Sequence, residues 1–88
     1  MVYFTHIRLS QGNEHEHITD VKWQDTATNT SNQMTRAQAV EWLRKGNRAY
    51  VTDGVRTVEV GVVDADPPYI RTYADGKWTN NLLALPRF

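Results

Sequence analysis

Eighty-eight residues, 40% of them hydrophobic and including three Trp, four Tyr and two Phe, suffice for one folded domain and exclude a disordered chain, despite a mean hydropathy of −0.61. Ten basic residues cancel ten acidic ones, so no bulk field draws the chain to nucleic acid or to an anionic membrane. There is no cysteine, hence no disulfide framework and no thiol chemistry, and no apolar run of about 18 residues occurs; a single cytoplasmic, non-secreted domain over residues 1–88 is expected.

Residues 2–9 and 14–23 are rich in β-branched and aromatic side chains and read as two strands. Gly12-Asn13 suits a two-residue type II′ turn between them. That turn sets Gln11 opposite Glu14, Arg8 opposite His17, His6 opposite Thr19, Phe4 opposite Val21 and Val2 opposite Trp23. One face of the hairpin then gathers Val2, Phe4, Val21 and Trp23 as half a core and runs into a polar cluster of His6, Arg8, His15 and His17. The other carries Tyr3, Thr5, Ile7, Ile18, Asp20 and Lys22 and is expected to be partly wet. Residues 24–33 are polar and carry no large apolar side chain, and they read as a mobile surface loop.

Met34 to Gly46 reads as the one helix. Thr35 and Gln38 have the spacing of a capping box, Met34 and Ala39 that of a hydrophobic staple, and Gly46 sits where a left-handed terminal residue is wanted. Ala39, Val40 and Leu43 share a face flanked by Trp42, while Gln38, Glu41 and Lys45 point away. A rod of roughly 15 Å does not stand alone in water and requires a sheet beneath its stripe. Residues 48–52 and 55–63 read as strands joined by a type I′ turn at Asp53-Gly54, with Val58, Val60 and Val62 on the buried side. Pro67-Pro68 stops the ladder, residues 69–73 resume it, Asp75-Gly76 turns it, and Trp78 to Leu85 ends in a short apolar piece before Pro86. The fold expected is α+β in the order β-β-α-β-β-β: a twisted antiparallel sheet of about five strands with the helix on one face.

The tail Tyr69-Ile-Arg-Thr-Tyr-Ala-Asp-Gly-Lys-Trp-Thr-Asn-Asn-Leu-Leu-Ala-Leu-Pro-Arg-Phe88 resembles the C-terminal signature of a family of small bacterial and phage proteins catalogued as domain of unknown function 3892. Thr35 to Gly46 matches its helix, and Ile70, Arg71, Thr72, Asp75, Gly76, Asn81, Leu82, Leu85 and Pro86 match its tail. The chain departs from the pattern in a longer 24–33 segment and at Asn80, where an acid is expected. The resemblance implies a fold and a soluble existence, and no activity. The residues of the tail also have an architectural reading: Asn81 opens a short helical turn, Leu82 and Leu85 dock on the sheet, and Pro86 ends the turn.

His15 and His17, two apart on a strand, with His6 across the hairpin, form the only triad with metal-ligand character. Arg8 opposite His17 places a permanent cation at the same spot, so a solvated hairpin end without metal is expected. Ser10 and Ser31 lack a nucleophile elbow, and the pairs Glu14/Glu16 and Asp64/Asp66 flank turns rather than a cleft. Neither catalysis nor a cofactor is expected. Arg56, Tyr69, Arg71, Tyr73 and Trp78 bring cations and aromatics together and form the candidate interaction surface; the architectural alternative is that Tyr69 and Trp78 pack as a cross-strand pair of the last hairpin with arginine stems covering them. The expected partner is a protein, with a homodimer through a free sheet edge as one form of it. A weak nucleic-acid binder using the Arg/aromatic surface in residues 56–78 is the alternative.

Overall fold

The computed structural model describes all 88 residues. Its single α-helix, α1 (Arg36–Arg44), is closed by the capping box that the sequence encodes: the Thr35 hydroxyl accepts from the Gln38 amide at 3.2 Å, and the Gln38 carboxamide oxygen accepts from the Thr35 amide at 2.9 Å. Gly46, at φ +95°, supplies the left-handed residue that ends it. Removing the first of these bonds by Thr35→Ala is expected to cost about 1 kcal/mol, read as a lower urea midpoint at unchanged slope.

Seven strands surround the helix: β1 (Val2–Leu9), β2 (Ile18–Asp25), β3 (Thr30–Thr35), β4 (Ala49–Thr52), β5 (Thr57–Val63), β6 (Tyr69–Ala74) and β7 (Lys77–Thr79). They form one mixed sheet in the order β3-β2-β1-β4-β5-β6-β7. The class is α+β as expected, but the sheet has two more strands than the five foreseen and is not wholly antiparallel. β1 and β4 run parallel, pairing Val2 with Ala49 and Tyr3 with Tyr50. The cause is the helix, which carries the chain from β3 past β2 and β1 to β4 with its direction kept, as a crossover must. The segment read as a mobile loop is instead the end of β2, a short turn and β3, paired without interruption from Asp20↔Thr35 to Asp25↔Thr30. As an edge strand exposed along most of its length, β3 needs no apolar alternation.

The first hairpin also differs from expectation. Phe4 pairs with Trp23, His6 with Lys22 and Arg8 with Asp20, with irregularities between Phe4 and His6 and between Arg8 and Leu9. A bulge at Thr5 turns Phe4 and Ile7, three apart, to the same side. Ile7 and Ile18, assigned by the two-residue turn to a wet face, are consequently fully buried. No two-residue turn forms at Gly12-Asn13; a longer connection contains a 3₁₀ turn at His15–His17 and is closed by the Ser10 amide on the His17 carbonyl at 3.0 Å. The imidazole of His17 lies against Gly12, where a Cβ would approach within 2.4 Å. Likewise Asp53-Gly54 is not a type I′ pair. Only Gly54 has positive φ, and the Asp53 carboxylate holds a four-residue turn by accepting from the amides of Val55 and Arg56 at 2.9 and 2.8 Å. These bonds hold its pKa below the ordinary carboxylate value. At the last hairpin Asp75 and Gly76 both have positive φ, as a type I′ turn requires.

α1 touches β2 and β3 at one end of the sheet order and β5 and β6 towards the other, which requires the sheet to curl around it. Ala39 and Val40 of the helix join Phe4, Ile7, Ile18, Val21, Ala49, Val51, Val58, Val60, Ile70 and Leu82 in one core; Leu43 and Trp42 pack against it half-buried. The radius of gyration, 11.9 Å, is that of a single domain of this length, about 12 Å. No helix is long and apolar enough to cross a membrane.

Because β1 and β4 pair over only two residues, a gap opens beyond Tyr3. The C-terminal segment fills it: the Ile7 amide donates to the Pro86 carbonyl at 2.9 Å, the Phe88 amide to the Ile7 carbonyl at 3.1 Å, and Arg87 bridges Ile7 in parallel. Arg8 and Lys22 lie over the Phe88 ring at 4.4 and 4.9 Å.

Candidate functional site

The pleat sorts each strand into a helix-facing and an outer side. Val58 and Val60 face in, so Glu59 and Gly61 face out; Ile70 and Thr72 face in, so Arg71 and Tyr73 face out; Ala49 and Val51 face in, so Tyr50 faces out. Register then aligns the outer residues. Tyr3 pairs with Tyr50, Tyr50 with Glu59, Glu59 with Tyr73 and Tyr73 with Trp78. Four aromatic rings and one carboxylate thus form a row across five strands, about 19 Å long at the usual strand spacing. The row continues through Gln24 on β2 to Ser31 on β3.

Its outer end is the most open. Trp78 and Tyr73 are 41% and 45% exposed, and their rings meet edge to face at 5.2 Å between centroids. Tyr3 and Tyr50 are half-buried, their ring centroids 6.3 Å apart. The Trp78 ring overlies Gly61 on β5, where a Cβ would come within 3.2 Å of it. Ions fringe the row: Arg48 approaches Glu59 at 3.9 Å and Arg56 approaches Asp75 at 3.8 Å.

Of the five residues singled out in the sequence, Tyr73 and Trp78 meet. Arg71 shares their face but is committed to architecture, donating to the Thr79 carbonyl at 3.0 Å and to the Asn80 Oδ1 at 2.9 Å. Asn80, standing where an acid was expected, still supplies Arg71 with an acceptor. Arg56 lies in the turn before β5 and joins only through Asp75. Tyr69 is not the cross-strand partner of Trp78: it begins β6 opposite Val63, four residues and about 13 Å along the strand from Tyr73, because the Asp75-Gly76 turn fixes Tyr73 opposite Trp78. Sequence reasoning did not find Tyr3, Tyr50 or Glu59. Tyr50 and Glu59 follow from the β4–β5 register, but Tyr3 joins only through a parallel pairing that no local pattern announces.

The three histidines occupy separate surroundings, and no cluster of metal-ligating side chains forms. His6 Nδ1 contacts the Thr5 hydroxyl at 3.0 Å, and His17 Nδ1 accepts from the Glu14 amide at 3.1 Å. His15, expected to be solvated, is only 5% exposed, and its Nε2 has no hydrogen-bond partner. Burial, and then the Arg71 cation, lower its pKa from 6.5, against a smaller opposing pull from Glu14 and Glu16. A folded-state pKa below the unfolded one leaves stability intact above pH 6.5 and erodes it as pH falls from there towards the folded value, where the unfolded chain binds the extra proton. Urea midpoints are expected to drop between pH 7 and pH 5 in the parent chain, and to drop less in His15→Leu.

No curated protein and no solved structure matches the chain. The family model described as "Protein of unknown function (DUF3892)" matches residues 3–86, and on that match the chain belongs to this family.

Proposed function

We propose that the protein is a non-catalytic cytoplasmic binding module whose outer sheet face, centred on Tyr73 and Trp78, docks another protein. The observation that carries this reading is the aromatic row: Trp and Tyr left half in water on a face with no helix over it are the residue types that anchor protein interfaces. Electrostatics favour a protein over a nucleic acid. Glu59 and Asp75 place two carboxylates among the arginines, and Arg71 is spent on β7, so the positive charge on the face is compensated and forms no basic stripe for phosphates. The β3 edge is a poorer dock for a partner strand or a second copy. Its Gln33 amide is taken by the Asn32 side chain at 2.8 Å and its Thr35 amide by Gln38.

The test compares the parent chain with a Tyr73→Ala/Trp78→Ala variant as bait, alongside binding to a mixed oligonucleotide at two salt concentrations. A protein retained by the parent and lost by the variant, with no oligonucleotide binding, is the expected result. Oligonucleotide binding that falls steeply with salt would move the assignment to nucleic acid.

A further inference from the structure

We infer that the groove beside Trp78 receives a cationic side chain, Lys or Arg, carried on an extended segment of the partner protein; this rests on the docking face proposed above. The groove is an open depression of about 510 Å³, lined by Gly61, Val62, Tyr73 and Trp78 together with the acidic residues Glu59 and Asp75. Gly61 matters because a Cβ there would lie 3.2 Å from the indole and oblige the ring to shift by a few tenths of an ångström. Two aromatic side chains and two acidic residues around one opening form an environment that attracts a guanidinium or ammonium group.

The chain's own arginines do not close the site. Arg48 and Arg56 approach these carboxylates at 3.9 and 3.8 Å, longer than a hydrogen bond, and all four side chains are at least 49% exposed. Ion pairs of that kind are weak and exchangeable. An incoming cation gains the rings as well as the charge, so it displaces them. The same pairing occurs within the fold, where Arg8 and Lys22 lie over Phe88. A backbone of alternating residues suits the geometry, because side chains two apart on an extended strand point to one side and present repeated cations to the row.

The experiment is an NMR titration of the full chain with a capped Gly-Arg-Val-Arg-Val-Arg-Gly peptide and with its citrulline counterpart, equal in shape and uncharged. The Arg peptide is expected to shift the Trp78 indole and Gly61 amide signals and to bind about tenfold more tightly than the citrulline one. Glu59→Gln and Asp75→Asn, exposed and outside the core, are each expected to weaken it several-fold, and Trp78→Ala to abolish it. Equal affinity for the two peptides on this face overturns the cation inference and leaves the docking face standing. Shifts confined to other surfaces, or none, overturn the inference as well; the docking face then stands or falls separately by the bait comparison.

Discussion

Leu82→Ala is expected to destabilise the fold by about 2–5 kcal/mol, the range for deleting a fully buried Leu whose surroundings close only partly. Leu82 lies only six residues before Phe88, yet it is 0% exposed and belongs to the same core as Phe4, Ile70 and Val40. Its position is fixed from two sides. The Ala84 amide donates to Asn80 and the Leu85 amide to Leu82, at 3.1 and 3.2 Å, which coils the segment into a helical turn. Arg87 then donates to the Leu83 and Leu85 carbonyls at 2.8 and 2.6 Å, and Pro86 and Phe88 bond to Ile7. A side chain so held cannot retreat to fill the space its truncation leaves. Urea unfolding of the variant measures the loss. A loss below about 1 kcal/mol would mean that the tail is dispensable to the core.

Thr72→Val is expected to cost about 2–3 kcal/mol although it keeps the shape of the side chain. Thr72 is fully buried, and its hydroxyl uses its whole hydrogen-bonding capacity. It donates to the Thr79 carbonyl at 3.2 Å and accepts from the Thr79 hydroxyl at 2.7 Å and the Leu82 amide at 3.3 Å. The isosteric methyl strands the Leu82 amide, which is buried, while the Thr79 hydroxyl can turn to another partner. The cost therefore comes chiefly from one orphaned donor rather than from three lost bonds. Thr72→Ser, which keeps the oxygen, is expected to recover most of the stability; a Val variant as stable as the parent, with the loss appearing in Ser instead, would show that the methyl, not the hydroxyl, holds the site.

These two sites also mark what a reader of the sequence could see. Ile70, Thr72 and Leu82 stood out in the C-terminal signature, and an apolar plug was legible because its turn residues and its leucines are adjacent in the chain. The helix was legible for the same reason, since Thr35, Gln38 and Gly46 encode both ends locally. β3 was not: Thr30, Ser31, Asn32 and Gln33 are all exposed, so burial imposes no alternation on them. The first hairpin misled because Gly12-Asn13 is a good turn pair, whereas packing of the His17 ring against Gly12 and a bulge at Thr5 decided the register. Within the candidate site, the tight turn between Tyr73 and Trp78 was legible, but the register that sets Trp78 opposite Tyr73, rather than Tyr69, was not. Nor was Tyr3, because it meets Tyr50, 47 residues later, through a two-residue parallel pairing. Arg71 misled in the opposite sense. It reads as a surface cation, but its guanidinium binds β7 and lies close enough to His15 to disfavour the protonated imidazole.

Tyr3, Tyr50, Tyr73 and Trp78 lie along the face of the sheet that the helix leaves bare, and the docking face depends on that placement. Nuclear Overhauser contacts among aromatic side chains report it directly. Contacts between the Tyr73 and Trp78 rings, with none from the Trp78 indole to Val40 or Leu43, are the expected result. An indole in contact with those helix residues would place the row in the core and remove the docking face.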